Sequence, residues 1–424
     1  MRLASVLTVT LVLALPVAAS AQESLLPSLR AAARSAPRDY DAQVALGRAL
    51  IEAAHYREAS TTLTRAARMR RDDPVAQYEP IRVLFAQRDH RRARAACRAI
   101  IRVDRDSAIA HVCTARAFLA WSRAGRAFEE LEAALAASPN DYEALLALGE
   151  AHRLRAAVAE SESAYRRAIA ANPSASDPHL GLGELYAAAH RDADALAELR
   201  RAHELAPDDP DVDYQLGQVL EGAEAVTHLQ EAVANRPGWT LAMAELGDAL
   251  LATDQADAAA AMFRQAITAD SHLAHARAGL GRALLASGNL QEAEASLNQA
   301  LELVPNDADS AAALAAVYER TDRVEEAYAQ YRRAADLDPR NPAPLTDAAR
   351  LAIQQQRPVL AVGFLQRVLG VHANHAPALT LMGDVMRARN QTAQARDFYQ
   401  RALNGTGTID RAAVQASLRS LTGG

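Results

Sequence analysis

The residue types that carry most protein chemistry are sparse in this sequence of 424 residues. Two pairs of histidines have a three-residue spacing, His272 with His275 and His372 with His375. Such spacing can bring two imidazoles to one metal ion. Each pair lacks a third ligand nearby in the sequence, so we interpret all four as ordinary groove or turn histidines. No metal site is therefore predicted.

Two Gly-x-Gly sequences, residues 181–183 and 279–281, come nearest to a phosphate-binding loop. A phosphate loop needs its glycines between a strand and a helix. Both sequences instead lie inside segments of helical periodicity, so we interpret their glycines as helix-packing residues. No serine, threonine or cysteine nucleophile has a recognisable setting. The sequence predicts no catalytic residues, no cofactor and no enzyme activity.

Cys97 and Cys113 are the only two thiols. In an oxidising compartment they could form a disulfide. Cys97 falls at a core-facing position of its helix, but Cys113 falls one residue away from the face that would meet it. We therefore favour two buried free thiols, with the disulfide as the alternative.

The composition indicates that helices position these residues. Half of the chain is hydrophobic and only 4% is aromatic, with many alanines and leucines, which are strong helix formers. All 46 basic residues are arginine, and the formal net charge is −6. Because nucleic-acid binding needs a basic face, no nucleic-acid partner is expected.

The start of the chain has the pattern of a secretory signal peptide over residues 1–21. A basic second residue is followed by an apolar stretch over residues 3–16 and by small residues before Gln22. The stretch is short for a membrane span, so an uncleaved anchor is the less favoured alternative. No cysteine for a lipid anchor follows, and no later segment is apolar enough to be an integral membrane segment. We expect a periplasmic or secreted protein.

Small residues recur at a 34-residue interval along most of the chain. One interval in the series is 30 residues, so one repeat is four residues short. Two further series, mostly of glycine and alanine, keep a fixed phase with the first. The first series, with the 34-residue interval, consists of Ala59, Ala93, Ala127, Ser161, Ala195, Ala225, Ala259, Ala293, Ala327, Ala361 and Ala395.

Each repeat has the pattern of two amphipathic helices. In the repeat 274–307, residues 274–286 and 290–304 have helical periodicity, with a break at Gly288 and a stop at Pro305. Small residues where the two helices cross let the backbones approach closely. One helical pair cannot bury its apolar face alone, so neighbouring repeats must stack.

These repeats resemble the tetratricopeptide repeat family. The resemblance implies an all-α fold, a right-handed superhelical α-solenoid of about eleven helix-turn-helix units whose concave groove is lined mostly by the first helix of each. In repeat 274–307 the matching residues are Leu280, Gly281, Leu284, Gly288, Glu292, Ala293, Leu297, Ala300, Leu301 and Pro305. The repeats are 40–73, 74–107, 108–141, 142–175, 176–209, 210–239, 240–273, 274–307, 308–341, 342–375 and 376–409.

Three parts of the array depart from the regular pattern. The sixth repeat, 210–239, lacks four residues at the turn between its helices, which predicts a shortened first helix. Residues 22–39 are predicted to form a half-repeat helix before the array. Residues 410–424 are predicted to be a capping helix and tail, with a dimer contact as the alternative for that helix.

The resemblance places the fifth, ninth and twelfth residues of each repeat in the groove. Residues 38–106 contain 15 arginines against 10 acidic residues, whereas residues 126–234 contain 8 against 21. This predicts a basic N-terminal surface that captures an acidic, partly apolar peptide segment, with solvated neighbouring ion pairs as the alternative. The predicted groove residues are Arg48, Tyr78, Arg82, Phe85, Val112, Arg116, Leu119, Glu150, Glu184, Asp248, Arg282 and Arg350.

The resemblance implies a non-catalytic protein–protein interaction scaffold, which the signal pattern places in the cell envelope. Partner proteins or peptides would bind in the concave groove. An accessory or hydrolytic enzyme with an unrecognised site in the groove is one alternative. A glycan-binding export component is another, and the scarcity of aromatic residues weakens it.

Overall fold

A computed structural model describes residues 21–421 except 54, 88, 105 and 122. This part of the chain contains 24 helices and no strand, only one isolated bridge between His375 and Thr406. The predicted signal peptide lies outside the described residues, apart from Ala21. The chain divides into two compact units, residues 1–242 and 243–424.

The first thirteen helices lie in the N-terminal compact unit. They are α1 (Ala21–Ser35), α2 (Tyr40–Glu52), α3 (Tyr56–Met69), α4 (Pro74–Ala86), α5 (His90–Val103), α6 (Ala108–Leu119), α7 (Ala124–Ala137), α8 (Tyr142–Leu154), α9 (Val158–Ala171), α10 (Asp177–Ala188), α11 (Asp192–Leu205), α12 (Pro210–Val219) and α13 (Gly222–Asn235). The next helices are α14 (Thr240–Ala252), α15 (Ala256–Ala269), α16 (Ala274–Ser287), α17 (Leu290–Leu303), α18 (Ala308–Arg320), α19 (Val324–Leu337), α20 (Ala343–Gln354), α21 (Pro358–Val371), α22 (Ala376–Ala388), α23 (Thr392–Leu403) and α24 (Arg411–Ser420).

Each repeat contains two of these helices. The even-numbered α2 to α22 are the first helices, named helices A here, and the odd-numbered α3 to α23 are the second, named helices B. Within each compact unit, a helix A packs on helix B of its own repeat, and that helix B packs on the next helix A. The predicted all-α solenoid of helix-turn-helix repeats is confirmed.

Aspartates define where many helices A begin. Their carboxylates accept hydrogen bonds from free N–H groups of the first turn, which have no partner inside the helix. Their negative charge also interacts favourably with the helix N-terminus. These capping residues are Asp39, Asp73, Asp141, Asp209 and Asp307.

The crossing of helix A and helix B depends on a small eighth residue. A methyl group added at Gly47 would lie 2.2 Å from Leu63, and one added at Gly149 would lie 2.5 Å from Tyr165. Carbon atoms in contact are about 3.5–4.0 Å apart, so no larger residue fits without movement. The prediction that small residues mark the crossing is confirmed at these glycines.

The sixth repeat has the shortened helix A that its sequence predicts. Helix α12 has 10 residues and is followed by extended backbone at Leu220 and Glu221. Helix α13 then begins at Gly222, whose φ is +65°. The deletion therefore removes the last turn of helix A and changes the connection to helix B.

Helices at the two ends pack on the neighbouring repeats. Helix α1 packs on α2 and buries Leu26, and α24 packs on α23 and buries Val414. In the described part of the chain, no helix combines the length and apolar character needed to cross a bilayer.

Cys97 and Cys113 form a disulfide, so the preference for free thiols was wrong. Their Cα atoms are 5.6 Å apart, and both residues are buried. Cys97 is residue 24 of its repeat and Cys113 is residue 6 of the next. The same two positions meet where Tyr165 contacts Gly181. The sixth residue of helix A therefore faces the preceding helix B. The sequence analysis had instead placed this contact one residue away from Cys113.

The turn between helices A and B provides a test of backbone strain. Its fifteenth residue has a positive φ, which is +54° at Ala156 and +88° at Gly288. A Cβ atom makes this conformation unfavourable. We expect Ala156→Gly to raise the free energy of unfolding by about 1 kcal/mol and Gly288→Ala to lower it by about the same amount. Urea denaturation measures both, and changes of the opposite sign would contradict this account.

Candidate binding surface of helices A

Successive helices A form a surface in each compact unit. In the N-terminal unit α2, α4, α6, α8, α10 and α12 each approach the next in that series. In the C-terminal unit α16 approaches α18, and α20 approaches α22. Within the described chain, successive helices B make no comparable approach. Successive helices A therefore lie closer together than successive helices B, as expected for helices that line a groove.

Three predicted groove arginines are paired with two glutamates on this surface. Arg48 contacts Glu79 with Nη2 and Oε1 2.5 Å apart, and Arg82 Nε lies 3.4 Å from Oε2 of Glu79. Arg82 and Arg116 also contact Glu143, at 2.7 and 3.3 Å. These five residues are named the N-terminal arginine cluster. Three guanidinium groups share two carboxylates, so the cluster retains one net positive charge.

The members of the N-terminal arginine cluster are buried to different depths. The side chain of Glu79 is completely buried, and that of Glu143 is 15% exposed, whereas that of Arg48 is 50% exposed. Burial opposes the charged form of Glu143, but the guanidinium groups of Arg116 and Arg82 outweigh it and lower the pKa of Glu143. Glu143 is therefore a structural counter-ion, and Arg48 is the cation most accessible to a partner.

The apolar residues predicted beside these arginines mostly belong to the core. Tyr78 and Val112 are completely buried and Leu119 is 5% exposed. Phe85 is half-buried and packs against the same core. Adjacent helices A approach so closely that side chains at their fifth and twelfth positions fill the interface. For Tyr78, Val112 and Leu119, the prediction of a groove contact is wrong.

Acidic residues occupy helices α8 and α10 at the predicted positions. Glu184 on α10 lies 3.2 Å from Arg153 on α8, and its side chain is 28% exposed. Burial raises the pKa of Glu184, although the charge of Arg153 lowers it. Glu150 on α8 is half-buried, and its charge acts on Arg116 and Arg153. Negative charge therefore follows the N-terminal arginine cluster along this surface.

The C-terminal compact unit contains an open cavity of about 720 Å³ lined by two predicted groove residues. Asp248 accepts hydrogen bonds from Arg282 Nη2 at 2.8 Å and, when Nε2 carries the proton, from His275 at 2.6 Å. The hydrogen bond to Asp248 raises the pKa of His275. Leu251 and the exposed Val304 add apolar surface to the same cavity. This cavity offers both charges and an apolar contact.

Arg350, the last predicted groove residue, also pairs with a neighbouring repeat. Its two terminal nitrogens donate to the carboxylate oxygens of Glu319 at 2.8 and 3.1 Å. Asp347, one turn earlier on the same helix, lies 3.6 Å away. Charges at the ninth position are thus engaged by side chains of adjacent repeats, which matches the ion-pair alternative.

The histidine pairs identified in the sequence have separate partners. His275 contacts Asp248, whereas His272 Nδ1 lies 3.3 Å from the hydroxyl of Ser271. His372 lies 2.8 Å from the carbonyl oxygen of Arg340. The rings of His372 and His375 have centroids 6.4 Å apart, and Nδ1 of His375 accepts a hydrogen bond from the backbone N–H of Ala378.

The described residues contain one group of three potential metal ligands, which the sequence interpretation missed. His203, Asp213 and His228 lie on α11, α12 and α13, with their ligand atoms within 4.8 Å of one another. Because the three residues come from different helices of two repeats, no short motif contains them. Comparing equivalent positions of the repeats could have indicated this group from the sequence.

Glu143 allows a test of the N-terminal arginine cluster. Glu143→Gln leaves Arg82 and Arg116 short of a counter-ion, so we expect the free energy of unfolding at pH 7 to fall by about 1–3 kcal/mol. The folded-state pKa of Glu143 is lowered, so its contribution is present above its ordinary value of 4.5 and is lost as the pH falls through the folded-state pKa. Urea denaturation at several pH values measures this difference.

Glu150→Gln is the matched control on the same helix. It removes the same charge from α8 but breaks no ion pair of the cluster. A loss of stability as large as that of Glu143→Gln would show that charge on α8, not the pairing of Glu143, is responsible.

Comparison with known proteins connects these repeats with one family. Tetratricopeptide repeat models match residues 44–108, 78–142, 114–176 and 158–210 in one form, 250–317 in a second and 308–341 in a third. No curated protein matches the sequence.

Two solved structures are similar in fold. The yeast Tom70 structure has 12% sequence identity, covers 90% of this chain and 95% of its own, and has a TM-score of 0.46. YrrB, described as a TPR protein with an unusual peptide-binding site, has 22% identity, covers 46% of this chain and 99% of its own, and has a TM-score of 0.38. The repeat matches extend over more than half of the sequence and coincide with the helical pairs. The chain belongs to the tetratricopeptide repeat family.

Proposed function

We propose that this chain is a protein-interaction scaffold that binds partner proteins or peptides on the surface of its helices A. The observation that carries the proposal is the open cavity lined by Asp248, His275 and Arg282. It combines charges of both signs with the apolar side chains of Leu251 and Val304. A peptide can be recognised there by charge-assisted hydrogen bonds and by burial of one apolar side chain.

The N-terminal arginine cluster contributes to the same proposal through Arg48. Arg82 and Arg116 are held by Glu143, and their side chains are only 23% and 22% exposed. Arg48 is half exposed, and the cluster has an unbalanced positive charge. An acidic segment of a partner would therefore contact Arg48 first. Reversing Arg82 or Arg116 would disturb the fold instead of testing binding.

The cell envelope is the proposed place of action. The start of the sequence has the pattern of a secretory signal peptide, and the disulfide between Cys97 and Cys113 supports an oxidising compartment such as the periplasm or the extracellular space. Cytosolic thiols are normally kept reduced, so a buried structural disulfide favours export. The scaffold would then assemble a partner complex in the envelope.

A charge reversal in the cavity tests partner binding. With a photo-reactive residue in place of Leu251, we expect Arg282→Glu to reduce the yield of crosslinked partner at least about tenfold, because loss of the guanidinium and repulsion by Asp248 weaken the contact. Crosslinking in the native host, followed by mass spectrometry, measures the yield.

Arg264→Glu is the matched control for this reversal. Arg264 lies on helix B α15, is half exposed and pairs with Glu292 at 2.7 Å, much as Arg282 pairs with Asp248. Equal crosslinking by the two variants, with equal helical content by circular dichroism, would contradict binding in the cavity.

Export makes a separate prediction about the isolated protein. Protein purified from the envelope of its host should begin near Gln22, because the signal peptide is removed, and its two cysteines, once exposed by denaturant, should react with an alkylating reagent only after reduction. N-terminal sequencing and mass spectrometry measure both properties. An intact N-terminus together with two reactive thiols would argue against the envelope location.

A further inference from the structure

The three residues His203, Asp213 and His228 converge where the fifth repeat meets the shortened sixth. His203 lies near the end of α11, Asp213 in the first half of α12 and His228 in the middle of α13. The Nδ1 atom of His203 lies 3.2 Å from Oδ1 of Asp213, and that of His228 lies 3.0 Å from the same oxygen. The two imidazole rings meet edge to face, with their centroids 5.2 Å apart.

These distances fit ligands that share one metal ion. Two nitrogen or oxygen ligands about 2.1 Å from an ion are about 3.0–3.4 Å apart when the angle at the ion is about 90–110°. The two separations from the Asp213 oxygen fall in this range. Two imidazole nitrogens and a carboxylate oxygen form a donor set that suits Zn²⁺ and related first-row dications.

The burial of Asp213 is an independent argument for a cation site at this point. Its side chain is completely buried, and its Oδ2 atom has no hydrogen-bond partner among the residues that the structure describes. Burial of a carboxylate with an unsatisfied oxygen is unfavourable, and native proteins rarely leave such a group. A dication at this point would neutralise the carboxylate, and bidentate binding would also engage Oδ2. The charges of Asp208 and Glu231 act on His203 and add to the negative potential.

Two ordinary histidine–carboxylate pairs occur at the equivalent positions of other repeats. His111 contacts Glu130 at 2.8 Å in the third repeat, and His179 contacts Glu198 at 2.6 Å in the fifth. In both, the histidine is residue 4 and the glutamate is residue 23. Both glutamates are partly exposed, with 31% and 27% of their side chains accessible. One hydrogen bond between the histidine and the glutamate accounts for each of these pairs.

The sixth repeat differs from those pairs in three ways. The carboxylate is now at position 4, as Asp213, and the histidine is at the position equivalent to 23, as His228. The carboxylate is completely buried, and a second histidine, His203, reaches it from the preceding repeat. Each imidazole can donate one hydrogen bond to Oδ1 of Asp213, but this leaves Oδ2 without a partner among the described residues, whereas a metal ion can engage all three groups.

We propose that His203, Asp213 and His228 bind one first-row transition-metal dication of the Zn²⁺ type. Glu231 lies one turn after His228, with Oε2 3.4 Å from its Nδ1 atom, and its carboxylate adds negative charge beside the three ligands. The ion links α11 to α12 and α13, and so fixes the fifth repeat to the sixth where helix A is shortest. The site contains none of the predicted groove residues.

Titration of the metal-free full chain tests this site. After treatment with a chelator, the protein should bind one Zn²⁺ in calorimetry, and one Co²⁺ should give visible absorption bands that added Zn²⁺ removes. His228→Ala and His203→Ala should each lower the affinity at least about a hundredfold and abolish the rise in Tm that Zn²⁺ causes.

His179→Ala is the matched control, because it breaks the equivalent pair with Glu198 in the neighbouring repeat. It should bind Zn²⁺ as the unaltered chain does. Asp213→Asn adds a further test if circular dichroism shows that this variant is folded. If it is not folded, the two histidine variants decide the question. Absence of binding at equimolar Zn²⁺, or binding that survives both His203→Ala and His228→Ala, would overturn the proposal.

Discussion

The close crossing of helix A and helix B within each repeat is the contact on which the rest of the structure depends. A glycine or alanine at position 8 leaves room for the side chain at position 24, such as Tyr165 against Gly149. That side chain extends past the crossing and also meets position 6 of the next repeat, as Tyr165 meets Gly181. One residue therefore closes its own helical pair and joins it to the neighbour, which is why an array of nearest-neighbour contacts holds together. The disulfide from Cys97 to Cys113 reinforces this same junction where the side chain at position 24 is small.

The charges on helices A follow from this packing. Adjacent helices A approach closely, so a charged residue at position 9 meets helix A of a neighbouring repeat before it meets solvent. Arg282 pairs with Asp248 and Arg350 with Glu319, each across one repeat boundary. Half-exposed pairs of this kind contribute little to stability, about 0–1 kcal/mol each, and an incoming partner can compete for them. The buried carboxylate of Glu79 differs, because it has lost its hydration, and removing its arginine partners would leave an uncompensated buried charge.

Most of the fold could be predicted from the sequence, whereas much of the site could not. Small residues at a 34-residue interval follow directly from the crossing contact, and the missing four residues in the sixth repeat predicted the short α12. Side-chain partners depend on distances between repeats that no single-repeat pattern contains. Tyr78 and Val112 were expected in the groove because family analogy assigns a face to position 5, but the close neighbouring helices A cover that face. Cys113 was misplaced by one residue for a similar reason, since the twist between repeats decides which residue of helix A faces the preceding helix B.

The shortened sixth repeat shows how the array accepts a deletion. The four missing residues come from the end of helix A and the inter-helix turn, and the crossing survives, since Gly217 still lies against Leu229. What is lost is the last turn of helix A, and with it part of the surface that would pack on the neighbouring repeats. In a solenoid, the weakest interface limits how far the repeats behave as one cooperative body. Asp213 and His228 lie on the intact parts of α12 and α13, and His203 lies on the preceding helix B. A bond among these three residues would strengthen the junction where the helices themselves contribute least.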